Sequence, residues 1–331
     1  MKRLLLLSLL ICSTVIAQDI PAPKLPKGVT ILNQTKASYD LEKKISIFED
    51  WFNLDYRYEN FSAGIRYESF LPNDPSPAIS RGKEKYSDIA FKYFTLNFGN
   101  KKSNLEITAG NYYALVGRGM VLRSYEDRNL RLDNNLQGVL FKANYSNFRF
   151  TGLTGSAANS NNERKDILYL ADLEYRGVKW IKGGITLASN KPEFDNIART
   201  DIGSLRLEAS LGALDGYFEY GVKKNADIQN SVFNSSESIV GKGLYASLSY
   251  YYDIFSIIGE YKLYDNFGFR SFDQTVSYNQ PPATRKDHSY QLFNRHPSTL
   301  DADNEQGYQI EANANLSDNS ALLLQFAEIK T

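Results

Sequence analysis

Strict alternation of apolar and polar residues, sustained for about ten positions at a time and repeated along nearly the whole chain, limits the fold more than any other feature. In Phe52-Asn53-Leu54-Asp55-Tyr56-Arg57-Tyr58-Glu59 the large apolar side chains hold one parity and the amide and charged ones the other. Phe61, Ala63, Ile65 and Tyr67 then alternate with Ser62, Gly64, Arg66 and Glu68. Near the far end Tyr308, Ile310, Ala312, Ala314 and Leu316 alternate with Gln309, Glu311, Asn313 and Asn315. In between, Ile167, Tyr169, Ala171, Leu173 and Tyr175 alternate more loosely with Asp166, Leu168, Leu170, Asp172 and Glu174. Successive strand side chains point to opposite faces, so each segment has one greasy face and one wet one. Helical periodicity is scarce, and the chain reads as all-β.

The pattern predicts strands near 28–36, 51–60, 61–70, 88–98, 103–112, 135–144, 146–155, 166–176, 178–188, 201–210, 213–223, 243–252, 254–264, 305–316 and 320–330. Tight links at Asn60, Gly99 to Lys102, Tyr145, Gly177, Leu211-Gly212, Asp253 and Ser317-Asp318-Asn319 alternate with long ones at 37–50, 71–87, 113–134, 156–165, 189–200, 224–242 and 265–304. Short turns on one side, long loops on the other and strands of this length predict an antiparallel up-and-down transmembrane β-barrel. A soluble exported sandwich or solenoid would give the same alternation. Strand length beyond the usual five or six residues, aromatic residues crowding the strand ends and large charged residues on the wet face favour the barrel. Aromatics make up 13% of the 331 residues. About 15 strands are visible, whereas single-chain bacterial barrels close with an even number. The chain also stops at Ala327-Glu328-Ile329-Lys330-Thr331 without a terminal aromatic, so the expectation is an incomplete chain lacking C-terminal strands.

The N-terminus reads as an export signal: Lys2 and Arg3, an apolar run from Leu4 to Ile16, and a small-residue cleavage pattern ending at Ala17. Residues 1–17 are thus assigned as a cleaved signal peptide and 18–331 as the barrel domain. The single cysteine, Cys12, lies inside the signal; Ile11 before it argues against lipidation. No disulfide scaffold or Cys/His zinc site can be built from what remains. With 38 basic and 38 acidic residues, the chain lacks the positive excess of a nucleic-acid binder.

Two stretches carry a resemblance. Tyr58-Glu59-Asn60-Phe61-Ser62-Ala63-Gly64-Ile65-Arg66-Tyr67-Glu68 is one. The other starts at Ile107-Thr108-Ala109-Gly110-Asn111-Tyr112-Tyr113 and continues through Gly117-Arg118-Gly119-Met120-Val121-Leu122-Arg123-Ser124-Tyr125-Glu126-Asp127-Arg128 to Asp133-Asn134. They resemble a porin-like outer-membrane β-barrel family of Bacteroidota-type bacteria, a domain of unknown function. The resemblance weakens beyond about residue 155. It implies location in the outer membrane and supplies no substrate.

Chemistry concentrates in segment 113–134, where Arg118, Arg123, Glu126, Asp127, Arg128, Arg131 and Asp133 accompany Gly117 and Gly119. Charge rings in a pore select solutes by field and diameter, so this segment is a candidate inward-folded constriction, with Arg57, Arg66 and Glu68 as candidate lumen residues. The alternatives are a solvated external loop whose charges pair with one another, and a partner-binding surface. Gly117-x-Gly119 is no dinucleotide fingerprint, because Leu122 stands where the third glycine belongs. His288 and His296 sit in the Pro-rich 265–304 loop and suggest no catalysis; Asp301-Ala302-Asp303-Asn304-Glu305 is only a weak calcium candidate, since Gly307 comes one place late. No cofactor, metal or enzymatic activity is expected. The expected partners are the lipid bilayer with its lipopolysaccharide and small solutes, and no nucleic acid. The leading expectation is a passive porin-like channel of weak ion selectivity. Its rival is a structural barrel subunit of an envelope secretion or assembly complex, partnered by that complex's proteins.

Overall fold

The computed structural model describes residues 26–42, 44–70, 87–100, 102–128, 132–159, 161–193, 199–226, 239–283, 300–317 and 320–331; residues 1–17, where an export signal is expected, lie outside them. Fifteen long strands form one sheet whose spatial order follows the chain. They are β1 (Val29–Asp40), β2 (Ile45–Tyr58), β3 (Phe61–Phe70), β4 (Ser87–Gly99), β5 (Ser103–Tyr112), β6 (Leu136–Tyr145), β7 (Phe148–Ala157), β8 (Ile167–Val178), β9 (Ile181–Lys191), β10 (Arg199–Leu211), β11 (Leu214–Ala226), β12 (Ile239–Tyr252), β13 (Phe255–Asp265), β14 (Asn304–Ser317) and β15 (Ser320–Lys330). Every neighbouring pair is antiparallel. Among the described residues β1 and β15 pair on one side only, and in an up-and-down order these two strands run the same way.

One expected link is corrected. Residues 37–50 are not a long loop: β1 runs on to Asp40 and β2 starts at Ile45, with Ala37 opposite Phe48 and Lys36 opposite Glu49. That stretch contains no glycine or proline, so nothing in it stops the ladder. The turn is only Leu41 to Lys44. At the opposite end, two-residue turns begin on Glu59 (φ 48°), Ser146 (φ 53°), Gly212 (φ 64°) and Asp253 (φ 50°). A positive φ at the first turn position matches the right-handed twist of a hairpin.

The outer face follows one rule. At the short-turn end Tyr58, Phe61, Phe98, Tyr145, Phe148, Tyr175, Trp180, Tyr252 and Phe255 are exposed. Six residues further along their strands come Tyr67, Tyr169 and Tyr261, with Tyr308 opposite Tyr261. At about 3.3 Å per residue the two aromatic rows stand about 20 Å apart along the strands, and Ile65, Leu173, Phe218, Ile257 and Ile310 fill the band between them.

The inner face changes character along each strand. On β8, Glu174 and Asp172 give way to Leu170 and Leu168 towards the long-loop end, and Leu168 is fully buried. These apolar inner positions receive the segment between β5 and β6. That segment touches Gln34 of β1 through Arg128 and Tyr245 of β12 through Arg118. One segment can reach both strands only because the sheet curls around it as a barrel wall.

Candidate functional site: the segment inside the barrel

Residues 113–128 and 132–135 leave the sheet and fold inward, stiffened by two short ladders, Leu115–Val116 with Leu122–Arg123 and Glu126–Asp127 with Leu132–Asp133. The second ladder forms the base of the segment. There Arg66, on the inner face of β3, reaches Glu68 Oε1 at 2.6 Å, Glu126 Oε2 at 2.8 Å and Asp133 Oδ2 at 2.9 Å. Its guanidinium also lies 5.3 Å from the centre of the Phe91 ring. The other Asp133 oxygen accepts Tyr113 Oη at 3.0 Å and Asn135 Nδ2 at 2.8 Å. Burial, together with the Asp133 and Glu126 charges, pushes the Tyr113 phenol far above its ordinary range. Arg128 extends the network: it donates to Glu126 Oε1 at 3.1 Å and to Gln34, and stacks 4.6 Å over Trp51. Two arginines and three carboxylates, buried or half-buried, thus satisfy one another, as charges removed from water require.

The tip is built differently. Gly117 and Gly119 have φ of 55° and 85°, values that L side chains rarely adopt. A Cβ on Gly117 would stand 2.9 Å from Glu219 Oε2, and one on Gly119 would stand 2.7 Å from the Gln280 carbonyl oxygen. The two glycines therefore allow the backbone to slip between the β11 wall and a second inward segment. Glu219, fully buried on β11, accepts Ser204 Oγ at 2.7 Å, the Tyr217 hydroxyl and the Arg118 backbone amide. The Arg118 side chain stays exposed over Tyr217 and Tyr245, at 4.2 and 5.4 Å from their ring centres, and donates to Tyr245 Oη at 3.1 Å and Ser247 Oγ at 3.0 Å.

Behind the tip, Met120, Val121 and Leu122 are wholly buried against Leu136, Leu153, Leu168 and Ile202 of the wall. The second segment, 266–283, closes over them with Phe267, Phe269, Val276 and Tyr278. The two segments are joined by Arg123 N to Tyr278 O at 2.9 Å, Gln280 N to Gly119 O at 3.0 Å and Asn279 Nδ2 to Met120 O at 3.0 Å. In the second segment Asp273 resists its partial burial through hydrogen bonds from Ser271, Thr275 and Asn159, which hold its carboxyl at about 2. Below the apolar filling, Arg206 of β10 grips Asp172 with both terminal nitrogens at 2.6 and 2.9 Å and reaches Thr186 and Glu174.

Of the candidates read from sequence, Arg66, Glu68, Glu126, Arg128 and Asp133 come together at the base, and Arg118 stands apart at the tip. Asp127 is half-buried in the base ladder, and Arg123 is exposed beside Tyr125, 5.0 Å from its ring. Arg57 lines a recess of about 500 Å³ with Glu59, Ser62, Tyr93, Thr95, Asn97 and Glu106 near the short-turn end. Arg131, His288 and His296 lie outside the described residues. At the weak calcium candidate, Asp303 is engaged by Arg270 at 2.5 Å and by the Gly268 amide at 2.8 Å, and Glu305 pairs with Lys262. Those carboxylates serve ion pairs, Asp303 with the 266–283 segment and Glu305 with the neighbouring strand β13. Sequence reading missed Arg206 and Glu219; their inward parity between Leu205 and Leu207, and between Phe218 and Tyr220, was the available signal.

Over residues 1–323 the sequence matches the model of a family of unknown function, DUF6029. The chain belongs to this family. No curated protein matches this DUF6029 member. Among solved structures it is similar to Pseudomonas aeruginosa OccK8 (OprE), at 10% identity and a TM-score of 0.51 over 86% of this chain and 78% of that one. It is similar to Acinetobacter baumannii OccAB1 at 11% identity and a TM-score of 0.51, covering 91% and 79%. Pseudomonas aeruginosa OccK10 (OpdN) matches at 9% identity and a TM-score of 0.50, covering 92% and 81%. These are outer-membrane porin barrels, and at such identities the likeness shows a shared fold: the DUF6029 chain has the all-β transmembrane barrel architecture.

Proposed function

We propose that this protein is a porin-like channel of the outer membrane, exported through a cleaved signal peptide, that passes small solutes passively through a lumen narrowed by the 113–134 segment. The observation that carries this reading is the fastening of one segment to opposite walls, at Arg66 and at Glu219, with the Arg118 guanidinium left exposed at the tip. Solutes pass beside the apolar filling, along the charged wall of β2 to β5, where the Arg57 recess opens. A fixed cation in a constriction biases the passing charge by its field. Conductance in planar bilayers tests this: the wild type gives discrete channel steps, and Arg118→Glu shifts reversal potential towards cations by several-fold in permeability ratio. A folded protein that never conducts overturns the reading.

The complete burial of Met120, Val121 and Leu122 favours a second reading, a closed structural barrel within an envelope secretion or assembly complex. Co-purification of a stoichiometric partner together with absent conductance would select it.

A further inference from the structure

Lys92 is a charge on the wrong face. Its neighbour Tyr93 points inward and donates to Asp55 Oδ1 at 2.8 Å, so by alternation Lys92 points outward, opposite Ile65 of β3 and two residues from the exposed Phe94. In the register of β3 and β4, Phe61 faces Leu96 and Ile65 faces Lys92. Lys92 therefore stands about 13 Å above the short-turn row of aromatics and about 7 Å below the height of Tyr67. That is inside the apolar band, where a cation on the lipid side is destabilising. Among the described residues no carboxylate pairs with it. Its flexible stem spans about 6 Å, enough to bring the ammonium to the Tyr67 row at the interface.

Beside it the outer wall is dented. A groove of about 440 Å³ runs between Leu54 and Phe94, floored by Ala63 and Ala109 and flanked by Ile65 and Lys92, and it is apolar almost throughout. The small residues at its floor make a channel wide enough for a hydrocarbon chain, and Lys92 supplies the only ionic group on its lining. An acyl chain carrying an anionic head meets both demands. The longer loops of such barrels face outward, so the Tyr67 row marks the outer leaflet, and its phosphorylated lipid is the lipid A of lipopolysaccharide.

We propose that Lys92 and the β2–β5 groove form a lipid A site, with an acyl chain over Ala63 and Ala109 and a phosphate on the Lys92 ammonium. The proposal rests on the outer-membrane placement above and is independent of conduction.

The full chain, extracted in mild detergent from outer membranes of a lipopolysaccharide-producing host, is assayed for retained lipid A by mass spectrometry. Wild type, Lys92→Met and Ala109→Phe are compared, with folding scored separately by heat-modifiable mobility and circular dichroism. The wild type retains near-stoichiometric lipid A. Lys92→Met lowers retention about fivefold, the factor one basic residue contributes at an anionic surface, and Ala109→Phe lowers it through the groove. Dephosphorylated lipid A binds the wild type no better than it binds Lys92→Met. Equal retention by folded wild type and Lys92→Met overturns the site while leaving the barrel intact. Equal retention of ordinary phospholipid and lipid A overturns the choice of occupant. Recovery of the wild type as a detergent-free soluble particle overturns the outer-membrane placement itself.

Discussion

The two ends of the inward segment are fastened by opposite physics. At the base, Arg66 is enclosed by Glu68, Glu126 and Asp133, and the fastening is a set of charges that only one another can satisfy. At the tip, the fastening is shape: Gly117 and Gly119 allow a close approach, Met120 to Leu122 fill an apolar recess, and one buried carboxylate, Glu219, catches the backbone. A charge network fixes where a segment sits but costs dearly if a member is lost, because the others stay buried. Shape fastening fails more gradually. The comparison explains why the charged candidates did not gather into one ring: most neutralise each other at the base, and Arg118 is held out at the tip.

The sharpest break is Arg66→Ala, which removes the cation shared by Glu68, Glu126 and Asp133 and should cost about 3–5 kcal/mol in urea unfolding from detergent micelles. Met120→Ala comes next, at about 2–4 kcal/mol in the same assay, since a wholly buried side chain leaves a cavity. Gly119→Ala should cost about 1–3 kcal/mol through its positive φ and the Gln280 carbonyl, with larger conductance noise than wild type as the tip detaches. If Gly119→Ala equals Arg66→Ala in cost, the contrast between tip and base is wrong. The smallest effect is with pH. The Asp273 carboxyl at about 2 lies below its ordinary 3.8, so its contribution is fully present above pH 4 and fades as pH falls through about 2. Hydrogen exchange at the Thr275 and Val276 amides, corrected for intrinsic rate, should quicken over that interval in the wild type and show no such step in Asp273→Asn.

The outer wall was legible because lipid imposes a single rule on it: every second residue is apolar, and Phe61, Ile65 and Tyr67 announce their face without knowledge of any partner. The inner wall obeys no single rule. Leu168 and Leu170 looked like loosened alternation, and their cause, the seat of Met120 and Leu122, lies elsewhere in the chain. Gly117 and Gly119 were visible as turn-formers, whereas Glu219 and Gln280, which give them purpose, are about a hundred residues away or more. The link at 37–50 is shorter than the alternation alone implies, because Lys36 and Glu49 face each other across a continuing ladder.

The junction of the two inward segments also dictates an order of events. Met120 meets Asn279 across 159 positions, and Arg118 meets Tyr245 across 127. Contacts so distant in sequence form late and set the pace of folding. The first segment is seated only as β11 to β13 arrive to receive it, so enclosure and contents mature in a single concerted step, and a chain stalled short of β13 would hold Met120, Val121 and Leu122 bare to water.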